Sequence, residues 1–174
     1  MSISDINFVL ALGTVAMQIA SLALLALFFM RKQEGFGGQV AFIGKWGLWI
    51  AFILTLVGSV MTLVYSEILG FEPCPLCWWQ RIFLYPQVIL FGMALWRSDL
   101  YKRAAVDFSI VLSVIGAGFA LYHHVLQMYP GSGLPCPATG VSCATITLLE
   151  FGYVTFPMMA LALFAFIIVT MFFV

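Results

Sequence analysis

Charged side chains are scarce in this sequence. Only 8% of its 174 residues are Asp, Glu, Lys or Arg, seven of each sign, whereas 64% are hydrophobic. A soluble domain of this length needs roughly 25% charged residues to keep its surface in contact with water. The composition therefore excludes an ordinary soluble domain and predicts an integral membrane protein.

The sequence also lacks the alternating segments of about ten residues that build a transmembrane barrel, and it contains no internal repeat. Its apolar residues form five runs, each close to the ~20 residues that a helix needs to cross a membrane. Backbone polar groups in lipid must be hydrogen-bonded within their own segment, so we predict five transmembrane helices and an all-α fold. The runs are approximately Ile6–Met30, Trp46–Leu69, Trp78–Trp96, Ala104–Leu126 and Val154–Val174.

The first run does not have the charge order of a secretory signal. A signal peptide places its positive charge before a short apolar stretch. Here no Lys or Arg precedes Ile6, while Arg31 and Lys32 follow the run. We therefore expect an uncleaved helix with its N-terminus outside the cytoplasm.

The basic residues predict the orientation of the helices. Six of the seven lie in the loops between helices 1 and 2 and between helices 3 and 4, and these loops face the cytoplasm if the positive-inside rule holds. These six are Arg31, Lys32, Lys45, Arg97, Lys102 and Arg103. Alternation across five helices then predicts an N-out, C-in topology.

The seventh basic residue, Arg81, falls on the opposite side, at the start of helix 3. An ionisable group at membrane depth is a functional candidate by default. The alternative is an interfacial arginine that extends to the lipid headgroups.

Four cysteines lie in the two loops that this topology places outside. Cys74 and Cys77 precede helix 3, whereas Cys136 and Cys143 lie in the connection between helices 4 and 5. Structural cysteines would be scattered through the apolar runs as small hydrophobic residues. Their grouping in two extracytoplasmic loops predicts disulfide chemistry in an oxidising compartment.

Structural staples and a metal site are the two other interpretations of these cysteines. C-x-x-C is more typical of redox or metal chemistry than of a staple. His123 or His124 would complete a zinc site, but the second pair has C-x6-C spacing, which departs from a zinc ribbon. Because adjacent helical residues face different directions, at most one of these histidines points into a shared site. We therefore predict a site without metal.

The first cysteine pair has favourable local geometry for redox chemistry. Pro73 and Pro75 hold the chain extended, so we expect helix 3 to begin near Cys77. A helix N-terminus there favours a thiolate, and Arg81 lies four residues on, one turn deeper on the same face. Cys74 is expected in the loop before the helix, without this support and free to meet a mobile partner.

Motifs for a bound electron acceptor are also missing. The chain has no Rossmann glycine motif, no C-x-x-C-H haem attachment and no nucleotide loop. A quinone dissolved in the bilayer is the simplest acceptor, and Arg81 would polarise its carbonyl. Trp78, Trp79, Phe83 and Tyr85 offer flat apolar surface nearby, although for the tryptophans we favour an interfacial aromatic belt.

These residues resemble the DsbB family of disulfide-bond formation proteins. The resemblance is carried by "CPLCWWQR", by a second cysteine pair in the next outward loop and by the "GYVTFP" lead-in to the last helix. It covers about residues 46–174, and the close spacing of the outer pair resembles the short-loop branch. It implies a four-helix bundle over residues 46–174, with residues 1–45 as an additional transmembrane helix and cytoplasmic loop. Gln80 occupies a position at which some members of the family have an acidic residue.

The resemblance implies a thiol:quinone oxidoreductase in the bacterial cytoplasmic (inner) membrane. Its soluble partner would be an extracytoplasmic thioredoxin-fold, DsbA-like protein, and its electron acceptor ubiquinone or menaquinone. Cys74 and Cys77 would be the quinone-proximal pair, with Arg81 in contact with the quinone. A histidine near the quinone would correspond to His123 or His124.

The outer pair would exchange with the partner. Cys136 would take the mixed disulfide, and Cys143 would pass electrons toward Cys74. Proline and glycine around Cys136 would keep this loop mobile. We expect membrane lipid and no nucleic acid among the other partners.

Three alternatives stay open at this point. A vitamin K epoxide reductase-like enzyme also has two cysteine pairs, but its quinone-side C-x-x-C follows the loop pair, whereas here it comes first. The electrons would flow in the opposite direction, so that the protein reduces its outside partners, if the reduction potentials favour that direction. A non-enzymatic membrane protein would use the cysteines as staples or metal ligands.

Overall fold

The computed structural model describes residues 2–33, 35–97, 99–129, 135 and 141–174. Within this part of the chain the structure is helical, with five α-helices and one π-helical turn, Val64–Ile68, at the end of the second. The α-helices are α1 (Ile3–Met30), α2 (Gly37–Leu63), α3 (Pro75–Trp96), α4 (Asp99–Met128) and α5 (Phe156–Met171).

Three helical stretches are long and apolar enough to cross a membrane: Ile3–Met30, Gly37–Ile68 and Asp99–Met128. Helix α3 has 22 residues, and α5 is a shorter apolar helix of 16 residues. The structure thus confirms an all-helical, multi-pass membrane protein. That all five helices span the membrane, with the N-terminus outside, stays a prediction.

The helix ends differ from the ends of the apolar runs. Helix α1 begins three residues before Ile6, because Ser2 and Asp5 form a reciprocal capping box that hydropathy does not register. Helix α5 begins two residues after Val154, where Thr155 caps the N-terminus and Pro157 occupies the first turn. Polar caps, not the apolar run, set these boundaries.

Helix α5 lies at the centre of the bundle and packs against α1, α2 and α4, while α3 packs against α2 and α4. Phe164 and Ile167 of α5 are fully buried in this core. A Cβ atom at Gly116 of α4 would lie 2.5 Å from Phe164 Cζ. The glycine therefore permits the close approach of α4 and α5.

The beginnings of α1, α3 and α5 lie at one end of the bundle, which we call the cysteine end. The rings of Phe8 and Phe151 approach to 5.8 Å near this end. At the other end, the ring centroids of Phe28 in α1 and Phe172, just after α5, are 5.4 Å apart. The basic residues Arg31 and Arg97 follow α1 and α3 directly, at the end opposite the cysteines.

Candidate functional site

The start of α3 positions the first cysteine pair, and it differs from the sequence prediction. The helix begins at Pro75, two residues before Cys77, because proline at the first helical position is pre-organised for a helix. Cys74 is therefore the N-cap, and its Sγ accepts a hydrogen bond from the backbone N–H of Cys77 at 3.4 Å. Cys77 lies in the first turn, which agrees with the predicted helix N-terminus at this cysteine but not with the placement of all four cysteines in loops.

Cys74 was expected in the loop before the helix, without the support of the helix terminus and free to meet a mobile partner, and the structure differs. Its side chain is only 5% exposed, and as the N-cap it shares the helix terminus that was predicted to support Cys77 alone. Its sulfur lies 3.0 Å from Cys77 Sγ. The hydrogen bond to Cys77, followed by burial, raises the pKa of Cys74 to about 12. The two sulfurs are therefore unequal, and Cys74 holds its proton more tightly than an ordinary thiol.

Arg81 is folded into the bundle and does not extend to the headgroups. It is 8% exposed, its Nη2 donates to the carbonyl of Thr62 at 2.9 Å, and its Cζ lies 5.2 Å from the Trp78 ring centroid. No carboxylate in the described part of the chain forms an ion pair with it. A buried guanidinium without an ion-pair partner among the described residues favours binding of an anion or a partial negative charge beside it.

His123 connects the two cysteine segments. Its Nε2 lies 3.1 Å from the backbone carbonyl oxygen of Cys143 and 3.7 Å from Cys74 Sγ. Its Nδ1 lies 2.9 Å from Nε2 of Gln80. Because a carbonyl only accepts, the two shortest contacts favour the imidazole proton on Nε2, with Nδ1 accepting from the Gln80 amide; the amide nitrogen of Gln127 lies farther from Nε2, at 3.4 Å.

The second histidine points elsewhere. His124 Nδ1 lies 3.0 Å from Thr155 Oγ1, the cap of α5, and His124 does not line the cavity described below. The expectation that at most one of the two histidines enters a shared site agrees with this geometry. His123 is the one beside the cysteines.

Cys143 is also buried and packs with Cys74, Leu76 and Leu126. The loop segment that carries it is fixed by Gln127 Nε2, which donates to the carbonyl of Thr145 at 3.0 Å. Cys136, the other member of the predicted outer pair, lies outside the described residues. The fold thus brings one outer cysteine to the first pair.

Three donors at this site match a soft metal. Sγ of Cys74, Sγ of Cys77 and a ring nitrogen of His123 lie within 4.8 Å of one another. Two thiolates and an imidazole are common zinc ligands. A metal site is therefore an alternative that the tests below address.

A cavity of about 500 Å³ adjoins these residues. Cys77, Arg81 and His123 are among its polar lining residues, which also include Glu72, Gln80 and Gln127. Residues of α1, α2 and α5 form its apolar walls. None of the four predicted flat apolar residues, Trp78, Trp79, Phe83 and Tyr85, is among its lining residues in the described chain. Trp79 instead stacks on Phe119, with 5.2 Å between centroids, outside the cavity.

Neither Gln80 nor Thr62 was predicted from the sequence to be a site residue. Gln80 carried a usable signal, because it lies three residues after Cys77 and thus shares a helix face with it. Thr62 acts through its backbone carbonyl, which no residue pattern reveals.

Comparisons with known proteins agree with the motif. The model of the family "Disulfide bond formation protein DsbB" matches residues 44–174. An SPbeta prophage-derived disulfide bond formation protein B from Bacillus subtilis is 38% identical, over 68% of this chain and 78% of the relative. Disulfide bond formation protein C from the same organism is 35% identical, over 71% and 88%. A probable disulfide formation protein C from Bacillus cereus is 41% identical, over 75% and 85%.

No solved structure gave a significant match. The family model covers well over half of the chain, and several relatives exceed 30% identity across most of it. The chain therefore belongs to the DsbB family of disulfide bond formation proteins.

Proposed function

We propose that the protein is a thiol:quinone oxidoreductase of the bacterial cytoplasmic membrane. It reoxidises an extracytoplasmic, DsbA-like thioredoxin-fold protein and passes the electrons to membrane quinone. The observation that carries the proposal is the convergence of Cys74, Cys77 and Cys143 on one cavity that also contains Arg81. The relatives named for disulfide formation support the same chemistry.

The cavity fits a quinone in size and in character. Its volume of about 500 Å³ lies within the range of roughly 300–1,000 Å³ typical of small-molecule sites. Arg81 supplies a buried cation for a carbonyl that gains negative charge, and apolar walls suit an isoprenoid tail. A quinone bound here would accept two electrons and two protons from the Cys74–Cys77 dithiol.

The protein's own steps are thiol–disulfide exchanges. The partner dithiol reduces the Cys136–Cys143 disulfide and is itself oxidised to a disulfide. The Cys143 thiolate then attacks Cys74, so that a Cys143–Cys74 bond forms, the Cys74–Cys77 bond breaks and Cys77 leaves as a thiolate. Cys136 next attacks Cys143, which restores the outer disulfide and releases Cys74 as the second reduced sulfur.

Two neighbouring groups assist these exchanges. The Nε2 of His123 contacts the Cys143 carbonyl at 3.1 Å and also lies 3.7 Å from Cys74 Sγ, where its proton would stabilise this sulfur as it leaves Cys143. Arg81 is one turn from Cys77 on the same cavity wall and would stabilise its thiolate.

An anaerobic reduction assay tests the proposal. Purified protein is mixed with a reduced thioredoxin-fold donor and a short-chain ubiquinone or menaquinone, and quinone absorbance is followed. We expect one quinone reduced per donor dithiol by the wild type and none by Cys77→Ser. Quinone reduction at the wild-type rate by Cys77→Ser would contradict the scheme.

The same preparation distinguishes the alternatives. Disulfides that persist, without quinone-dependent reoxidation, would indicate structural staples. One zinc per chain by elemental analysis, together with activity that is lost on chelation, would indicate a metal enzyme.

A further inference from the structure

Helix α1 lies outside the segment that matches the family, which begins at residue 44. It nevertheless lines the cavity. Val9, Gly13 and Met17 recur every four residues and therefore lie on one face of α1, and all three border the same cavity as Cys77 and Arg81. The additional helix thus faces the site and does not merely flank the bundle.

The cavity opens between α1 and α2. Both helices pack against α5, but their described residues do not form a packed interface with each other along their lengths. Val9 on α1 and Val57 on α2 line the cavity and are 57% and 49% exposed, so they mark its mouth. Val57 lies about 15 Å along the helix from the cysteine end, at 1.5 Å per residue.

The α1 wall is apolar and has room beside it. Thr14 also lines the cavity, but its hydroxyl donates to the Leu10 carbonyl of its own helix at 2.9 Å. A Cβ atom at Gly13 would meet no heavy atom within 4 Å. The space at Gly13 is therefore available to a ligand with an apolar surface.

Polar contacts hold α1 in this position. Tyr153, in the segment before α5, donates from its hydroxyl to Gln18 Oε1 at 2.8 Å. Tyr65, in the π-helical turn after α2, donates from its hydroxyl to Asn7 Oδ1. The Asn7–Tyr65 bond joins α1 to the end of α2 at the cysteine end, above the mouth.

We propose that α1 is a component of the quinone site, where Val9, Gly13 and Met17 form the wall against which the apolar part of an isoprenoid quinone packs. The inference rests on the proposed function, because that function supplies the ligand. It adds a helix that is not part of the family segment to the binding site, and it makes the α1–α2 mouth the entrance.

A cavity-filling variant tests the inference. Gly13→Leu places a side chain in the open space, whereas Gly118→Leu makes the same change at an exposed glycine of α4 that also has no neighbour within 4 Å. Quinone binding is measured by quenching of tryptophan fluorescence, and single-turnover exchange with the reduced donor is measured without quinone. We expect Gly13→Leu to weaken binding about tenfold or more, the scale of a steric change in an apolar pocket. Exchange should be unchanged, and Gly118→Leu should match the wild type.

Photolabelling of the wild-type protein gives a second readout that does not depend on the folding of a variant. A quinone analogue with an aryl azide on its tail is irradiated in proteoliposomes, and the labelled peptides are identified by mass spectrometry. We expect label within residues 9–17, suppressed by excess unlabelled quinone.

The outcomes separate the two proposals. If the wild type neither binds nor reduces quinone, the proposed function fails and this inference fails with it. If the wild type binds quinone but Gly13→Leu binds equally well and no label reaches α1, the inference alone is overturned.

Discussion

At the scale of single residues, the Gln80 amide favours the tautomer of His123 that carries its proton on Nε2. This amide lies 2.9 Å from Nδ1, which leaves Nε2–H to face the Cys143 carbonyl and Cys74 Sγ. Gln80 is therefore a positioning residue, since it acts on the cysteines only through the imidazole.

Replacing Gln80 by leucine should slow the exchange between the two cysteine pairs. Nδ1 would lose its donor, and an unsatisfied buried polar group costs about 1–3 kcal/mol, so we expect a rate reduced by about tenfold. Acid-quenched trapping of the Cys74–Cys77 redox state after mixing with reduced donor gives this rate. An unchanged rate in a protein of wild-type thermal stability would refute the role.

The reduced first pair should react unequally with alkylating agents. The pKa of Cys74 is raised to about 12 by its hydrogen bond to Cys77 and by burial, so Cys74 remains a thiol from pH 7 to 9. Because the thiolate is the nucleophile, iodoacetamide should modify Cys77 at least about tenfold faster. Peptide mass spectrometry of briefly treated, fully reduced protein measures this ratio, and preferential modification of Cys74 would contradict the assignment.

Spacing alone located some of these residues and not others. Cys77 and Arg81 are separated by one helical turn, so their common face follows from local geometry. His123 meets Cys74 only because α3 packs against α4, a tertiary contact that adjacent histidines in a sequence do not encode. Which of His123 and His124 lies beside the cysteines could therefore be decided only from the three-dimensional structure.

At the scale of elements, the contact between α4 and α5 depends on Gly116, which has no side chain. Phe164 is fully buried and lies directly over Gly116. A ring packed on all sides does not move away without disturbing its own neighbours.

Gly116→Ala should therefore destabilise the bundle, by about 1–3 kcal/mol as is typical of overpacking. Gly118→Ala is the matched control, because a Cβ at Gly118 meets nothing within 4 Å. Thermal unfolding of both variants in the same detergent measures the difference. Equal melting temperatures would show that α4 and α5 do not pack as described.

The helical character of the chain was predictable because membrane-length apolar runs have few alternative structures. The residues at which the helices begin and end were less predictable. Ser2 caps α1 through a reciprocal pair of hydrogen bonds with Asp5, and Thr155 caps α5 through one hydrogen bond. Pro75 moves the start of α3. These local interactions displaced helix ends by two to three residues, which changed the environment of Cys74.

At the scale of the whole molecule, the cysteines lie at one end of the bundle and basic residues follow two of its helices at the other. Arg31 and Arg97 follow α1 and α3 at one end, and the cysteines begin α3 at the other. If the positive-inside rule holds, the cysteine end faces away from the cytoplasm.

Site-directed labelling tests this orientation. In a background with all four cysteines changed to serine, Tyr129→Cys reports on the cysteine end and Gly38→Cys on the opposite end; Tyr129 is exposed and Gly38 has open space around it. A membrane-impermeant maleimide should modify Tyr129→Cys in intact cells and Gly38→Cys only after permeabilisation. The reverse pattern would invert the topology.

If α1 and α2 both span the bilayer, the mouth between Val9 and Val57 opens toward the lipid acyl chains. An acceptor that enters there is delivered by lateral diffusion within the leaflet and never crosses an aqueous phase. The concentration that governs turnover is then its mole fraction among the lipids, not its amount per volume of suspension. On this view the bilayer is a reservoir of substrate as well as a support for the protein.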